Sequence, residues 1–187
     1  THVKKILVIK LRHLGDVLLT APVISALKSA LPDAKIDAFI WSECAAMLEG
    51  HPSLDGRIEY DRSWKKLGIK RFFKEFSLLR KIRRQNYDLV INLTEGDRGA
   101  LAAKISKAPI RVGFDQRKKK VYTHLVKTCP GQRHTVERNL DALRAIGIFP
   151  RLEERELFLH VPKEAILTVK NLVGPTPFVL IHASTFC

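Results

Sequence analysis

Residues 6–31 read ILVIKLRHLGDVLLTAPVISALKSAL, and this stretch decides the fold. Residues 6–9 are a continuous apolar run rich in β-branched side chains, which is typical of a buried strand. A mostly polar turn, residues 10–16, follows this run. From Val17 to Leu31 apolar residues recur at helical spacing, and a Pro-Asp pair then ends the helix. A strand, a turn and an amphipathic helix in this order predict the first half of a βαβ unit.

The same alternation of strands and helices continues along most of the chain. Apolar runs predict further strands at residues 35–41, 57–60, 87–93 and 109–114. Helical periodicity predicts helices between and after them, at residues 43–49, 72–82, 99–106 and 135–146. Strands that alternate with helices at short intervals favour an α/β domain with a doubly wound parallel sheet.

Composition and charge limit the class of protein and of partner. The chain has 187 residues, 45% hydrophobic and 28% charged, which excludes a disordered tail and fits a globular domain. Its 33 Lys and Arg residues outnumber its 19 Asp and Glu residues, so the formal net charge is +14. This excess predicts an anionic partner, either nucleic acid, an acidic membrane surface or a phosphorylated substrate.

Cysteine usage and hydropathy predict an intracellular protein. Cys44, Cys129 and Cys187 lie far apart, in no zinc-binding or disulfide pattern, and we expect them to be reduced. The apolar run at residues 6–9 is shorter than the roughly 7 residues that a signal peptide needs. No apolar run approaches the roughly 18 residues of a membrane span.

Two polar turns at predicted strand ends are candidate ligand sites. In open α/β sheets ligands bind outside the carboxyl ends of the strands, where residues 10–16 and 94–98 both fall. Asp16 has two interpretations that do not exclude each other, a helix N-cap and a general base for a substrate hydroxyl. Glu95 and Asp97 are rival acid or base candidates, although residues 94–98 also fit a solvated turn before a helix.

Cations are concentrated in two further segments. In the first, Phe72, Phe73 and Phe76 occur at core spacing and are expected to be mostly buried. The cations around them form either a solvated face or a surface for membrane or nucleic acid: Arg62, Lys65, Lys66, Lys70, Arg71, Lys74, Arg80, Lys81, Arg83 and Arg84. In the second, His134 either caps a helix or binds an anion, and Arg138 faces the same side one turn later.

Five segments occur in an order that indicates an enzyme family. They are residues 6–22 (ILVIKLRHLGDVLLTAP), 87–94 (YDLVINLT), 122–126 (YTHLV), 134–138 (HTVER) and 180–185 (LIHAST). Together they resemble glycosyltransferase family 9, the ADP-heptose:lipopolysaccharide heptosyltransferases. The resemblance covers the whole chain, and the Gly-Asp turn followed by the His-x-Val-Glu-Arg segment is its most specific part. Residues 12–16 and 122–126 are most similar to the family's third inner-core heptosyltransferases.

This resemblance implies a GT-B fold, in which the active site lies between two Rossmann-like domains. It implies an acceptor-binding N-terminal domain at residues 1–155, then an interdomain segment and the start of a truncated donor-binding domain at residues 156–187. In the family, transfer inverts the anomeric centre without a required metal and without a cofactor besides the sugar donor. Asp16 matches the family's catalytic base. The remaining matches are acceptor-binding Lys10, His134, Arg62, Lys65 and Lys66, and donor-phosphate-binding Ser184 and Thr185.

The resemblance also implies the partners. They are ADP-heptose, the phosphorylated lipopolysaccharide core (Kdo-lipid A-heptose) and the anionic cytoplasmic face of the inner membrane, with no nucleic acid. Because the chain stops as the donor domain begins, we expect it to be inactive alone and to show weak or no binding of ADP-heptose in calorimetry. Two alternatives stay open at this point, a basic nucleic-acid-binding α/β module and a GT-B glycosyltransferase with another sugar donor.

Overall fold

A six-stranded sheet, parallel throughout, is the centre of the molecule. The computed structural model describes residues 3–114, 116–127 and 133–174 and the single residues 177, 179 and 181. The strands are β1 Lys5–Lys10, β2 Lys35–Trp41, β3 Gly56–Tyr60, β4 Leu89–Asn92, β5 Ile110–Gly113 and β6 His124–Leu125. Their spatial order is β3-β2-β1-β4-β5-β6. The chain reverses its direction of winding between β1 and β4, which makes this the switch point of the sheet.

This sheet confirms the predicted doubly wound, Rossmann-like α/β fold. The five strands predicted within residues 6–114 are all present, and β2 has the predicted bounds. The sequence does not predict β6, because two residues are too few to show an apolar alternation. No helix in the described ranges is long and apolar enough to cross a membrane.

Helices pack on both faces of the sheet. The described residues contain α1 Leu14–Leu18, α2 Ala21–Ala30, α3 Ile69–Arg84, α4 Asp97–Ser106, α5 Thr135–Arg144 and α6 Lys163–Val173. Helices α2 and α5 pack with Ile6 and Val8 on one face, and α3 and α4 pack with Leu7 and Ile9 on the other. Because both faces of β1 are buried, its apolar run has no alternation.

The predicted continuous helix over residues 17–31 is wrong, and Pro22 supplies the reason. The structure has two helices here, α1 and α2, with a break at residues 19–20. Pro22 has no N–H to donate to the Leu18 carbonyl four residues earlier. Within the break, the Thr20 hydroxyl donates to the Val17 carbonyl at 2.6 Å. Asp16 therefore lies on a separate helix of five residues.

The predicted burial of the phenylalanines in α3 is also wrong. Phe72, Phe73 and Phe76 are 68%, 71% and 66% exposed, whereas Ile82 on the same helix is fully buried. Phe73 and Ile82 are nine residues apart, about two and a half helical turns, so they lie on opposite sides of the helix. The side of α3 that carries Ile82 packs on the sheet, and the phenylalanines consequently face outward.

The C-terminal part of the chain contributes little to this core. Helix α6 has no buried residue. Residues 178–181 (FVLI) are a further apolar run that predicts a strand, but Phe178 and Leu180 lie outside the described residues. The division into domains at residue 155 stays a prediction.

Gly113 allows β5 to pack directly against an aromatic ring, which predicts a large effect of a small substitution. A Cβ at this position would lie 2.4 Å from the ring of the buried Tyr122. We expect Gly113→Ala to lower the free energy of unfolding by about 1–3 kcal/mol, since the ring must move within a packed core. Urea unfolding measures this difference.

The matched control is Gly15→Ala. Nothing lies within 4 Å of a Cβ at Gly15, which is part of α1. This control should be neutral or stabilising by up to about 1 kcal/mol. Equal stability of the two variants would contradict the close packing at Gly113.

Candidate active site

A chain of hydrogen bonds ties the carboxyl ends of β1 and β4 together at the switch point. The Leu11 amide donates to Thr94 Oγ1 at 2.7 Å, and the Thr94 amide donates to Asn92 Oδ1 at 3.1 Å. The Asn92 side-chain amide donates in turn to the Tyr122 hydroxyl at 2.7 Å. All four residues are buried. This network fixes the place where ligands bind in folds of this kind.

Lys10 and Asp16 come together at the end of β1. Nζ of Lys10 lies 3.8 Å from Oδ1 of Asp16. The side chain of Lys10 is 7% exposed and that of Asp16 is 35% exposed. The ammonium is therefore buried, while the carboxylate stays accessible to a ligand. The two ends of the predicted turn thus form one charged pair.

The N-cap interpretation of Asp16 is wrong. Helix α1 begins at Leu14, its N-cap residue is His13, and no side chain caps it. Asp16 lies inside the first turn because the helix begins earlier than the apolar spacing from Val17 predicts. The turn before it is anchored by the Cys44 thiol, which donates to the Arg12 carbonyl at 3.3 Å.

The ammonium of Lys10 is held by groups from three parts of the chain. Besides Asp16, it lies 3.3 Å from the Leu93 carbonyl and 3.4 Å from Oδ1 of Asn139 in α5. The Asn139 side-chain amide also donates to the Leu19 carbonyl at 2.9 Å. Burial lowers the pKa of Lys10 below its ordinary value, and the charge of Asp16 partly opposes this shift. Lys10 is thus a fixed cation with a weakened hold on its proton.

Arg138 and Glu95 close the far side of a small polar pocket. They form an ion pair, and the guanidinium carbon of Arg138 lies 5.6 Å from the centre of the Phe114 ring. The pocket has a volume of about 80 Å³, and its lining includes Lys10, Arg12, Asp16, Leu93, Glu95, Phe114, Thr135, Arg138 and Asn139. Three cations, Lys10, Arg12 and Arg138, thus line the pocket with two carboxylates, Asp16 and Glu95, and this small excess of positive charge suits an anionic substrate.

The structure confirms the predicted role of His134 as a helix cap. It is the N-cap residue of α5, and its Nδ1 accepts a hydrogen bond from the Val136 amide at 3.3 Å. The ring is exposed and does not line the small pocket. Its capping places the first turn of α5, and with it Arg138, at the pocket.

A larger cavity shares Glu95 with the small pocket. Its volume is about 660 Å³, and it lies between the strand ends and the helices α3 and α4. Its charged lining residues are Arg71, Glu75, Glu95, Asp97, Arg98, Lys104 and Lys118. Four of these seven are cations. Asp97, a rival acid or base candidate, has a 99% exposed side chain that pairs with Lys118.

Arg98 lines this cavity, and the sequence analysis did not select it as a site residue. Its guanidinium lies over the Tyr60 ring at 4.2 Å and donates to Glu75 at 3.3 Å. Burial alone would raise the pKa of Glu75, but hydrogen bonds from Tyr60 and Arg71 and the nearby cations outweigh it and lower the pKa. Glu75 is therefore an ionised anchor for Arg98. Arg98 is the last residue of the predicted turn 94–98 and lies in the first turn of α4, so its place shortly after β4 was the available signal.

The other predicted site residues lie elsewhere. Arg62 donates to Glu43 at 2.8 Å, and its guanidinium carbon lies 4.7 Å from the centre of the Trp41 ring, which lines the large cavity. Lys65 and Lys66 are exposed in the single turn Arg62–Lys66 and line neither pocket. The predicted donor-phosphate ligands Ser184 and Thr185 lie outside the described residues.

The comparison with known proteins agrees with this fold. Residues 75–185 match the sequence model of glycosyltransferase family 9 (heptosyltransferase). The chain belongs to glycosyltransferase family 9. Lipopolysaccharide heptosyltransferase 3 of Escherichia coli K12 is 38% identical to it over 145 residues, which are 74% of this chain and 41% of that protein. A second Escherichia coli protein of the same name is 31% identical over 144 residues.

Solved structures of family members have the same fold. The family 9 glycosyltransferase of Veillonella parvula aligns with a TM-score of 0.77 and 25% identity, over 92% of this chain and 51% of that one. Escherichia coli heptosyltransferase WaaC, solved with ADP-2-deoxy-2-fluoro heptose, aligns with a TM-score of 0.68 and 22% identity, over 79% of this chain and 50% of that one. This family 9 chain thus spans about half the length of the solved chains and about two fifths of the length of its sequence relatives. Lys10 and Asp16 precede the range matched by the family model, so their pairing is an independent structural observation.

Proposed function

We propose that this chain is the acceptor-binding part of an inverting heptosyltransferase of lipopolysaccharide core biosynthesis. The observation that carries the proposal is the accessible carboxylate of Asp16, paired with the buried Lys10 at the carboxyl edge of a family 9 domain. The donor is ADP-heptose, and the acceptor is the phosphorylated inner core. The relatives' names, which specify lipopolysaccharide heptosyltransferases, support this choice of substrates.

The proposed reaction is a single displacement at the anomeric carbon. Asp16 accepts the proton of the acceptor hydroxyl as the oxygen attacks C1 of the heptose. The bond between C1 and the diphosphate oxygen breaks, and its electron pair leaves with ADP. Attack opposite the leaving group inverts C1. Lys10 keeps the carboxylate of Asp16 in place and supplies positive charge near the developing negative charge.

The large cavity is the proposed acceptor site. Arg71, Arg98, Lys104 and Lys118 suit the phosphate groups of the core, and Arg98 offers the paired donors that bind phosphate well. The cavity shares Glu95 with the pocket of Asp16, so an acceptor bound there would have the base nearby. The net charge of +14 supports binding at an anionic membrane surface, which we propose to be the cytoplasmic face of the inner membrane.

The residues proposed to bind the sugar donor are near the C-terminal end of this sequence. We propose that Ser184 and Thr185 contact the donor phosphates, and that His134, Arg62, Lys65 and Lys66 add positive charge or hydrogen bonds around the acceptor. The solved family members are about twice as long as this chain, and we propose that their parts beyond the aligned region contribute to transfer.

Mass spectrometry tests the proposed reaction directly. The complete gene product is incubated with ADP-heptose and with lipopolysaccharide cores that lack successive heptoses. The expected result is the addition of one heptose to one of these cores. Transfer of a different sugar, or no transfer to any core, would contradict the proposal.

The role of the cavity is tested by Arg98→Gln. We expect the KM for the acceptor to rise about 10- to 100-fold, because a charged hydrogen-bond donor to phosphate is lost. The kcat should change much less. Arg57→Gln is the matched control, since Arg57 is 31% exposed against 29% for Arg98 and lies outside the cavity lining. An unchanged acceptor KM in Arg98→Gln would place the acceptor elsewhere.

A further inference from the structure

The outward side of α3 is an apolar surface in its first two turns. It consists of Ile69, Phe72, Phe73 and Phe76, and we call it the aromatic face. Each of these side chains is at least 66% exposed. Three phenylalanines and an isoleucine side by side on one helix are unusual for a surface that only contacts water, and such patches mark interaction sites.

The charges of the same helix have a single sign where they face outward. Helix α3 carries seven cations and one acid, Glu75. Glu75 turns inward, where it accepts hydrogen bonds from Tyr60, Arg71 and Arg98. The last turn continues the aromatic face with Arg80, Arg83 and Arg84, which we call the arginine turn. The outward side of α3 thus combines apolar rings and uncompensated positive charge.

We propose that α3 lies in the surface of an anionic lipid bilayer, with the aromatic face at the boundary of the acyl chains and the arginine turn on the headgroups. A basic amphipathic helix with aromatic residues on its apolar side is the kind of helix that binds there. Its 16 residues give a length of about 24 Å, so α3 is suited to lie along the surface and too short to span it.

An anionic bilayer fits these observations better than nucleic acid does. Both partners would attract the cations, but only a bilayer offers an apolar phase for the four side chains of the aromatic face. Transfer of each phenylalanine ring out of water adds an attraction that salt does not screen. The inference deepens the membrane part of the proposed function, because Arg71 and Glu75 on the other side of α3 line the proposed acceptor cavity. A bilayer-bound α3 would hold that cavity at the lipid surface.

Vesicle sedimentation tests the proposal with the complete gene product. The probes are vesicles of phosphatidylethanolamine with phosphatidylglycerol, and vesicles of phosphatidylcholine alone. We expect binding to the anionic vesicles only. The combined variant Phe72→Ser, Phe73→Ser and Phe76→Ser should weaken this binding by about a hundredfold or more. The combined variant Arg80→Gln, Arg83→Gln and Arg84→Gln should weaken it by about a hundredfold at low salt.

The controls change the same chemistry outside α3. Phe149→Ser removes a phenylalanine that is 75% exposed, and Lys35→Gln with Lys163→Gln and Lys170→Gln removes three exposed cations. Neither control should weaken binding as α3 variants do. Equal loss in the control and α3 variants would overturn the assignment to this helix. Vesicle binding that the serine variant retains in full would overturn the role of the aromatic face.

A second measurement reports the position of α3 directly. In vesicles with brominated acyl chains, the fluorescence that Phe76→Trp adds to that of Trp41 and Trp64 should be quenched, whereas the fluorescence that Phe149→Trp adds should not. Equal quenching would overturn the proposal. Light scattering that shows self-association of the protein, lost in the serine variant, would also overturn the proposal. Displacement of the protein from anionic vesicles by RNA, with no quenching of the Phe76→Trp variant by brominated lipid, would overturn it too. Transfer to a lipid-free core oligosaccharide separates the outcomes, since it tests the proposed reaction and does not depend on α3 binding lipid.

Discussion

Replacing Asp16 by asparagine is expected to lower kcat by about 10²- to 10⁴-fold, the contribution typical of a general base. The amide has nearly the same shape as the carboxylate but cannot accept the proton of the acceptor hydroxyl. Acceptor binding should change little, since the large cavity is lined by other residues. Steady-state kinetics of the complete gene product measures both quantities.

Two comparisons make the Asp16 result specific. Asp33→Asn changes an exposed aspartate in the turn between α2 and β2 and should leave kcat unchanged. Glu95→Gln and Asp97→Asn test the rival carboxylates, which pair with Arg138 and Lys118 respectively. Near-normal turnover in Asp16→Asn, together with a large loss in either rival variant, would transfer the role of the base to that residue.

Lys10→Met is expected to lower kcat by about 10²-fold while leaving the fold intact. The substitution removes the buried cation beside Asp16 and keeps an unbranched side chain of similar length. A buried charge costs free energy of hydration, so its loss need not destabilise the chain even though the Leu93 carbonyl and Asn139 lose a donor. Kinetics and urea unfolding of the same variant separate the two effects. Lys35→Met, at an exposed residue of β2, is the control.

The pH dependence of stability gives a second measurement on Lys10. Burial lowers the pKa of Lys10 in the folded chain below its ordinary value of 10.5, which the unfolded chain retains. Between these two values the unfolded chain binds more protons, so the free energy of unfolding rises with pH there. Lys10→Met lacks this contribution. The native protein should therefore gain stability relative to the variant as the pH rises toward 10.5. Parallel pH profiles would show that Lys10 is not desolvated.

Local sequence was sufficient for much of the fold and for the place of three site residues. The strands were predictable because residues buried on both faces of a parallel sheet form unbroken apolar runs, as in β1 and β4. Lys10 and Asp16 were predictable at one place because they are the two ends of one turn after a strand, but their ion pair was not predicted. His134 was predictable as a cap because a helical pattern begins directly after it.

The other features of the site could not be predicted because they depend on contacts between segments that are remote in sequence. Asn139 reaches Lys10 across 129 positions of sequence, and no local pattern reports such a contact. Arg71 and Glu75 line the large cavity because of the way α3 is rotated on the sheet. The same rotation exposes the aromatic face, and apolar spacing alone could not determine which of two apolar sides of the helix would pack.

Thr20 lies between α1, the short helix that carries Asp16, and α2. Because the two helices are separate, each has its own local stability. Helix α1 buries only Val17, whereas α2 buries six residues. Segments with so different a share of buried side chains open locally at different free energies, with the less buried one opening first. The accessible carboxylate of Asp16 is therefore carried by a unit that is expected to open locally at a lower free energy than α2.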